Sequence, residues 1–343
     1  MARMRSPLRT LAPAPAAAFL LTLLFTFVPG CTSTGRQEDH GQEEAAPGQA
    51  ALPDDPASQI VHWQSERDEG ARDSVMSPFS AVAAHYIDEG ATARIGADQD
   101  RTALASSNDP MEAVAAITYR DESFWVEPVK GSEPPFIHLA DDDGEPEAGG
   151  TEVEESHRVA DEEIVSVGRY YLSMSPQSGF GRIMVYDPDA PMRKEFDGFL
   201  WFPPDPMMKV AATWVPASDP EELTIGTSRG LEKSFYRAGW FEFTVDGSVQ
   251  RLAGLAESPD PEPGTRLFCP FQDATTGKET YEIGRYISIT FNGAGEEHWI
   301  DFNHATNPFC NYSPHYNCPL PPKENRLTVA IRAGEMAYPI HGS

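Results

Sequence analysis

Residues 240–252 have the sequence WFEFTVDGSVQRL, in which two β-favouring runs are joined by Asp246-Gly247. Aromatic and β-branched side chains flank the Asp-Gly dipeptide, which is a frequent turn in hairpins. We therefore predict an antiparallel hairpin between residues 240–245 and 248–252. This hairpin is the clearest fold signal in the chain.

Similar short runs lie on both sides of the hairpin and are separated by clusters of Gly, Pro and Asp. The 31 prolines and 27 glycines suit a sheet protein with many turns. The other predicted strands are residues 124–129, 164–167, 182–186, 199–202, 209–215, 223–227, 286–291, 298–302 and 327–331. Together these runs predict a mainly β body, built as an antiparallel sandwich or as a barrel.

Helical patterns are confined to the part of the chain that precedes the predicted strands. Residues 58–70 favour a short helix, and residues 78–88 favour a second one that ends before Gly90. The apolar residues of the second segment recur at helical spacing: Phe79, Val82, Ala83 and Tyr86. We expect the two helices to form a small N-terminal cap on the β body.

The first residues of the chain resemble an export signal. Three arginines among the first nine residues precede an apolar stretch at 16–28. Thirteen apolar residues are too few to cross a membrane, which takes about 20, but they suit a signal peptide. Residues 28–31 (VPGC) resemble a lipobox. We predict that residues 1–30 are a lipoprotein signal peptide and that Cys31 carries the lipid; an uncleaved anchor or a soluble secreted protein are the alternatives.

The segment that follows the lipobox predicts where the folded domain lies relative to the membrane. Residues 31–55 contain no aromatic residue and favour a disordered tether, so the folded part is expected at 56–343 as one β-rich domain. The expected location is the cell envelope, with the lipid on Cys31 as the membrane attachment. Thr32 after the cysteine favours the outer membrane if the host has one.

The charge of the chain is strongly negative. It has 53 acidic and 26 basic residues and a formal net charge of −27, which argues against nucleic acid as a partner. Residues 141–163 contain eleven of the acidic residues, without the register of an EF-hand. We predict a loose surface loop there, with weak cation binding as the alternative.

The C-terminal part carries a long, irregular series of polar, aromatic and proline residues. Its segments include FQDATTG at 271–277, DFN at 301–303 and CPLPPKENRL at 318–327. This series resembles the bacterial and archaeal domain-of-unknown-function family 1684. Upstream segments around Trp63 and Arg67 also fit, so that the resemblance extends over about residues 58–338. The family has no established activity, and the resemblance leaves the function open.

Seven polar residues around these segments are candidates for a ligand site: Arg182, Asp273, Arg285, Asp301, Asn303, Glu324 and Arg326. They could hold the proline-rich loop, with Arg326 paired to Glu324 or Asp301. They could instead line a pocket for a small or polymeric ligand, because arginine binds carboxylate and phosphate well. A hydrolase with Asp301 or Glu324 as general base, and a purely structural envelope protein, remain alternatives. No serine-hydrolase, zinc-protease, P-loop or dinucleotide motif is present, and no cofactor is predicted.

Three cysteines remain besides Cys31, namely Cys269, Cys310 and Cys318. In an oxidising envelope the short spacing favours a disulfide between Cys310 and Cys318, with Cys269 free. Separately buried thiols are an alternative. A metal site that recruits His304 and His315 is another, although the spacing matches no known zinc module.

Overall fold

The computed structural model describes residues 55–97, 102–104, 113–177 and 179–339. The predicted signal peptide, Cys31 and nearly all of the tether lie outside these ranges. No helix in the described ranges is long and apolar enough to span a membrane. The chain is mainly β, with antiparallel sheets and a small helix near the N-terminus, which confirms the predicted fold class.

The described ranges contain two α-helices, four 3-10 turns and seventeen strands. The helices are α1 (Pro56–Asp73) and α2 (Pro191–Glu195), and the 3-10 turns are Pro206–Met208, Phe302–His304, Phe309–Asn311 and Lys323–Asn325. The strands are β1 (Ala81–Asp88), β2 (Thr92–Ala97), β3 (Thr102–Leu104), β4 (Ala113–Arg120), β5 (Ser123–Pro128), β6 (Phe136–Leu139), β7 (Thr151–Glu152), β8 (His157–Val159), β9 (Glu163–Val167), β10 (Tyr170–Gln177), β11 (Phe180–Tyr186), β12 (Lys209–Gly226), β13 (Glu232–Val245), β14 (Ser248–Ala256), β15 (Arg266–Phe271), β16 (Arg285–Thr290) and β17 (His298–Asp301).

The first eleven strands form a sandwich of two sheets. One sheet has the order β1-β11-β10-β9-β6-β7, and the other has the order β3-β2-β4-β5-β8. The sheets share one apolar core, to which Ile117, Val165, Leu172 and Ile183 contribute fully buried side chains. Burial of this alternating apolar face is the main stabilising contribution to the sandwich.

The last six strands form a nearly closed, barrel-like sheet in the order β16-β15-β14-β13-β12-β17. The predicted hairpin lies at its centre, where Val245 pairs with Ser248 across the turn. Asp246 and Gly247 have φ values of +50° and +72°. Positive φ at both turn residues defines a type I′ turn, which matches the twist of the strands, and the hairpin prediction is confirmed.

Helix α1 confirms the predicted helix at 58–70. The Asp55 carboxylate caps its start by accepting a hydrogen bond from the Ser58 amide at 2.9 Å, and Pro56 occupies the first turn. The second predicted helix, at 78–88, is wrong. Residues 81–88 form β1, which pairs with β11 over its whole length, so that long-range strand pairing overrides the local helical spacing.

Two predicted strands are also wrong. Residues 199–202 are irregular apart from one bridge between Trp201 and Glu335, and residues 327–331 contain no strand. Leu327 and Ile331 are nevertheless buried in the barrel core. Their apolar side chains produce the strand-like pattern, although the backbone around them is held by isolated hydrogen bonds to other loops.

The acidic segment 141–163 is more ordered than a loose loop. It contains β7 and β8, and its Glu145 carboxylate accepts hydrogen bonds from the Ser74 hydroxyl and from the Val75 amide at 2.7 Å. The segment also lines a surface cleft of about 510 Å³. The prediction of a loose loop is therefore wrong, because part of the segment pairs in the sheets and contacts the end of α1.

Candidate functional site

The structure distributes the seven predicted site residues over several separate contacts. Two pairs lie together, namely Asp273 with Arg285 and Asp301 with Asn303. The other three predicted residues have their own partners elsewhere in the fold: Arg182, Glu324 and Arg326.

Arg285 and Asp273 form a buried ion pair behind the C-terminal segment. Arg285 Nη2 lies 2.7 Å from Asp273 Oδ2, and the two side chains are 1% and 0% exposed. The guanidinium also donates to the carbonyl groups of Ile331, at 2.7 Å, and Ala333. Burial lowers the pKa of Arg285, and the negative charge of Asp273 opposes that effect. The pair thus holds the irregular C-terminal backbone against the barrel.

Asp301 and Asn303 fix a 3-10 turn to the loop that precedes β12. The Asn303 side chain donates to Asp301 Oδ1 at 2.9 Å and to the Asp205 carbonyl at 2.8 Å. Its own amide oxygen accepts from the Asp205 amide at 3.0 Å. These bonds use the polar atoms of Asn303 for backbone positions, which is a common role for asparagine in irregular segments.

Glu324 and Arg326 lie at the protein surface and do not contact each other. Glu324 Oε1 accepts from Arg237 Nη1 at 2.8 Å, and Arg326 Nη2 donates to Gln272 Oε1 at 2.6 Å. The predicted pairing of Arg326 with Glu324 or Asp301 is therefore wrong. The two residues are close in sequence, but Glu324 bonds Arg237 of β13 and Arg326 bonds Gln272, which follows β15.

A second buried ion pair, between Arg67 and Glu335, is absent from the predicted site. Arg67 Nε lies 3.1 Å from Glu335 Oε1, and the glutamate side chain is 0% exposed. Its other oxygen accepts from the Tyr312 hydroxyl and from the Asn307 amide at 2.7 Å. Burial raises the pKa of Glu335, and the charge of Arg67 opposes that effect.

The Arg67–Glu335 pair fastens α1 to the C-terminal segment. The neighbouring Asp68 carboxylate accepts from the Phe199 amide at 3.1 Å and from the Trp201 indole at 3.2 Å. Gly334 has a φ of +78°, and an added Cβ would lie 2.4 Å from the Ala305 carbonyl oxygen. Both Arg67 and Glu335 belong to the family-like segments, but no spacing rule relates residues 268 positions apart.

Arg182 lies where β11 approaches the loop that carries His315 and Tyr316. Its Nη2 donates to the His315 carbonyl at 3.2 Å and to the Met184 sulfur at 2.7 Å, and its Cζ lies 5.7 Å from the Tyr316 ring centre. The Nε atom is buried without a hydrogen-bond partner. Within the described ranges, no carboxylate forms an ion pair with Arg182.

Other positive groups act on the same region. Burial lowers the pKa of Lys233, and the charge of Arg182 lowers it further, against the smaller effects of Cys318 and Glu257. Burial also lowers the pKa of His315, with further lowering by Arg229, and by His85 and Arg182. We name Arg182 and Lys233, together with the His315 loop, the cationic site.

Cys318 lies near the cationic site, since its charge acts on Lys233. All three cysteines are free thiols in this structure, and the Cys310 amide donates to Cys318 Sγ at 3.3 Å. The Cys310–Cys318 disulfide therefore stays a prediction, to which the closeness of the two residues lends support. No group of three or more His, Cys, Asp and Glu residues suitable for a metal ion occurs among the described residues.

The fold and these contacts define a mainly β protein in which a sandwich and a barrel-like sheet meet at a cationic surface. Residues 194–336 match the family model described as "Protein of unknown function (DUF1684)". The chain belongs to this family of uncharacterised proteins through its C-terminal part. The wider resemblance over residues 58–193 stays a prediction.

A solved structure is also similar to part of the chain. It is the solution NMR structure of an uncharacterized protein from Haloarcula marismortui, which is 36% identical. The alignment covers 44% of this chain and 82% of that chain, with a TM-score of 0.37. No curated protein matches the chain.

Proposed function

We propose that this protein is a lipid-anchored envelope protein that binds a small anion, a carboxylate or a phosphate, at the cationic site. The anchor rests on the apolar segment 16–28 and on the VPGC sequence that ends at Cys31. The ligand class rests on the surroundings of Arg182. The two parts of the proposal are independent and have separate tests.

The observation that carries the ligand class is the unbalanced charge of Arg182. Its hydrogen-bond partners among the described residues, the His315 carbonyl and the Met184 sulfur, are neutral, and its Nε donor has none. Lys233 is a second cation in the same region, and the two charges disfavour each other. A bound anion would offset this repulsion, and a carboxylate or phosphate fits the planar donor fork of arginine.

The overall charge favours a small ligand over a polymeric one. A net charge of −27 repels an extended polyanion along its length, whereas a small anion experiences mainly the local field. Exposed Glu257 lies near enough to oppose the effect of burial on Lys233, so the positive field is local. The cationic site should therefore accept one or two anionic groups.

The binding test measures the melting temperature of the protein in inorganic phosphate and in succinate, at constant ionic strength. We expect either anion to raise the melting temperature by several degrees, because a ligand that binds only the folded state stabilises it. Arg182→Gln should lose this response. Arg326→Gln is the matched control, since Arg326 also bonds a neutral partner but lies on the surface.

A response of Arg182→Gln equal to that of wild type would overturn the cationic site. Lys233→Met provides a second variant that keeps the aliphatic stem. This variant should need a roughly tenfold higher anion concentration for the same rise in melting temperature. A tenfold change is expected from losing about 1.4 kcal/mol of charge interaction. A protein that is stabilised by neither anion would also contradict the proposed ligand class.

The anchor test uses Cys31→Ser. The wild-type chain should incorporate a radiolabelled fatty acid and sediment with membranes, and the variant should do neither. Retention of the variant on membranes, with unchanged fractionation, would show that Cys31 is not the attachment point.

A further inference from the structure

Cys310 and Cys318 are held in contact by the backbone that surrounds them. The Cys310 amide donates to Cys318 Sγ at 3.3 Å, and the two thiols lie close enough to shift each other's pKa. Cys310 lies in the 3-10 turn Phe309–Asn311. Cys318 exchanges hydrogen bonds with Ser228, from its amide to Oγ at 3.0 Å and from the Ser228 amide to its carbonyl at 2.8 Å. Two separate anchors thus keep the thiols together without a covalent bond.

The two thiols have different surroundings. Cys310 is partly exposed, whereas Cys318 is only 6% exposed. The hydrogen bond from Cys318 lowers the pKa of Cys310 to about 7; burial opposes this effect, and the hydroxyl of Tyr281, 3.8 Å from Sγ, adds to it. The same thiol–thiol bond, together with burial, raises the pKa of Cys318. At neutral pH, Cys310 is therefore the group that carries thiolate.

We propose that Cys310 and Cys318 form a reversible dithiol–disulfide couple, in which Cys310 is the entry thiol and Cys318 is the resolving thiol. The oxidant is an external disulfide. The structural basis is the contact between one accessible and one buried thiol on fixed backbone. This couple does not depend on anion binding at the cationic site.

The chemistry proceeds by two thiol–disulfide exchanges. The Cys310 thiolate attacks one sulfur of the external disulfide, forms a mixed disulfide and releases one thiolate. The Cys318 thiol then gives its proton to the thiolate released in the first step. The resulting Cys318 thiolate attacks Cys310 Sγ, so that the Cys310–Cys318 bond forms and a second thiolate leaves. Two protein thiols are oxidised, and one external disulfide is reduced to two thiols. Excess external thiol reverses both steps.

Cys269 is an internal control for this chemistry. It is 0% exposed in the barrel core, and burial raises its pKa far above the ordinary range of a thiol. Its weak contact with the Leu267 carbonyl, at 3.7 Å, comes from its own strand. Cys269 should therefore stay reduced while the fold is intact.

The test uses the exported protein, purified in detergent, reduced, and then treated with glutathione disulfide at pH 7. Peptide mapping by mass spectrometry should find Cys310 joined to Cys318, with Cys269 alkylated only after unfolding. In Cys318→Ser the reaction should stop at a glutathione adduct on Cys310. In Cys310→Ser the adduct on Cys318 should form at least tenfold more slowly.

Alkylation of the reduced wild-type protein provides a second measurement that needs no variant. At pH 7, iodoacetamide should modify Cys310 at least tenfold faster than Cys318, with a rate that rises with pH through a midpoint near 7. Equal rates at the two cysteines, or a Cys318 adduct that forms first, would overturn the assigned order. A folded wild-type protein in which glutathione disulfide joins neither cysteine would overturn the couple itself.

Discussion

Arg285 is buried and Arg182 is partly buried, and the groups that surround the two guanidinium groups differ. Arg285 meets the Asp273 carboxylate and three backbone carbonyl groups, so its charge and most of its donors are matched inside the protein. Arg182 donates to one carbonyl and one sulfur, and its charge lowers the pKa of a second cation, Lys233. The same kind of side chain therefore has its charge matched by a carboxylate in one region and not in the other.

The largest loss of stability should come from the region around Arg285, whose charge is matched by Asp273. Asp273→Asn leaves the Arg285 charge without a counter-charge at 1% exposure, and we expect a loss of about 3–5 kcal/mol in the free energy of unfolding. Urea denaturation measures it. The control is Glu279→Gln, which breaks the exposed pair with Arg332 and should cost much less, because solvent screens an exposed pair. Equal losses in the two variants would contradict the structural role of Asp273.

A smaller loss is expected from the Arg67–Glu335 pair. Glu335→Gln leaves Arg67, which is 21% exposed and can recover part of its hydration, so we expect a cost of about 2–3 kcal/mol. The same denaturation experiment applies. Glu66→Gln on the exposed face of α1, where the glutamate forms an ion pair with His62, should change stability by less than about 0.5 kcal/mol. If Glu335→Gln is equally neutral, the pair does not fasten α1.

Titration of the buried His298 extends the comparison to a neutral group. Its side chain is 0% exposed, its Nε2 accepts from the Asn292 amide at 3.1 Å, and burial lowers its pKa below 6.5. Below pH 6.5 the unfolded chain takes up more protons, so the free energy of unfolding should fall by at most about 1.4 kcal/mol per pH unit. Above pH 6.5 the stability that depends on neutral His298 is fully present.

The measurement compares wild type with His298→Gln between pH 7.5 and 5.5. The variant lacks this titration, and its stability should depend less steeply on pH. Glu335, whose pKa burial raises, acts in the opposite direction in both proteins, so the difference isolates His298. Parallel pH profiles would show that His298 does not contribute.

The smallest change in stability should come from Arg182, whose charge is matched by no carboxylate among the described residues. Without added anion, Arg182→Gln removes a cation that repels Lys233 and leaves no carboxylate unpaired. We expect a change within about 0.5 kcal/mol of wild type by urea denaturation, despite the burial of Nε. A loss as large as that of Asp273→Asn would make Arg182 a structural residue and remove the contrast with Arg285.

Local sequence signals predicted the elements that depend on near neighbours. The Asp246-Gly247 turn and the helix at 58–70 are encoded within a few residues and form as predicted. The predictions for segments 78–88 and 327–331 are wrong because apolar spacing indicates which side chains are buried and does not fix the secondary structure. Their backbone is determined by β11 and by the loop around Gln272.

The candidate site shows the same limit. Arg285 and Asp273, twelve residues apart and both among the predicted site residues, form a pair. The bond from Arg326 to Gln272 and the effect of Arg182 on Lys233 have no signal in the sequence. Residue type predicts which groups need a partner, but partners from other strands are assigned only by the packing of the sheets.

The sequence by itself determined the mainly antiparallel β class, the helix before it and the kinship of the C-terminal part, because turn residues, strand runs and motifs are local. Only the tertiary structure decided which arginine is neutralised. Arg67 and Glu335 meet across 268 positions, and Arg182 approaches the His315 loop across 133. Electrostatic free energy depends on distance and burial, and neither is set by spacing along the chain.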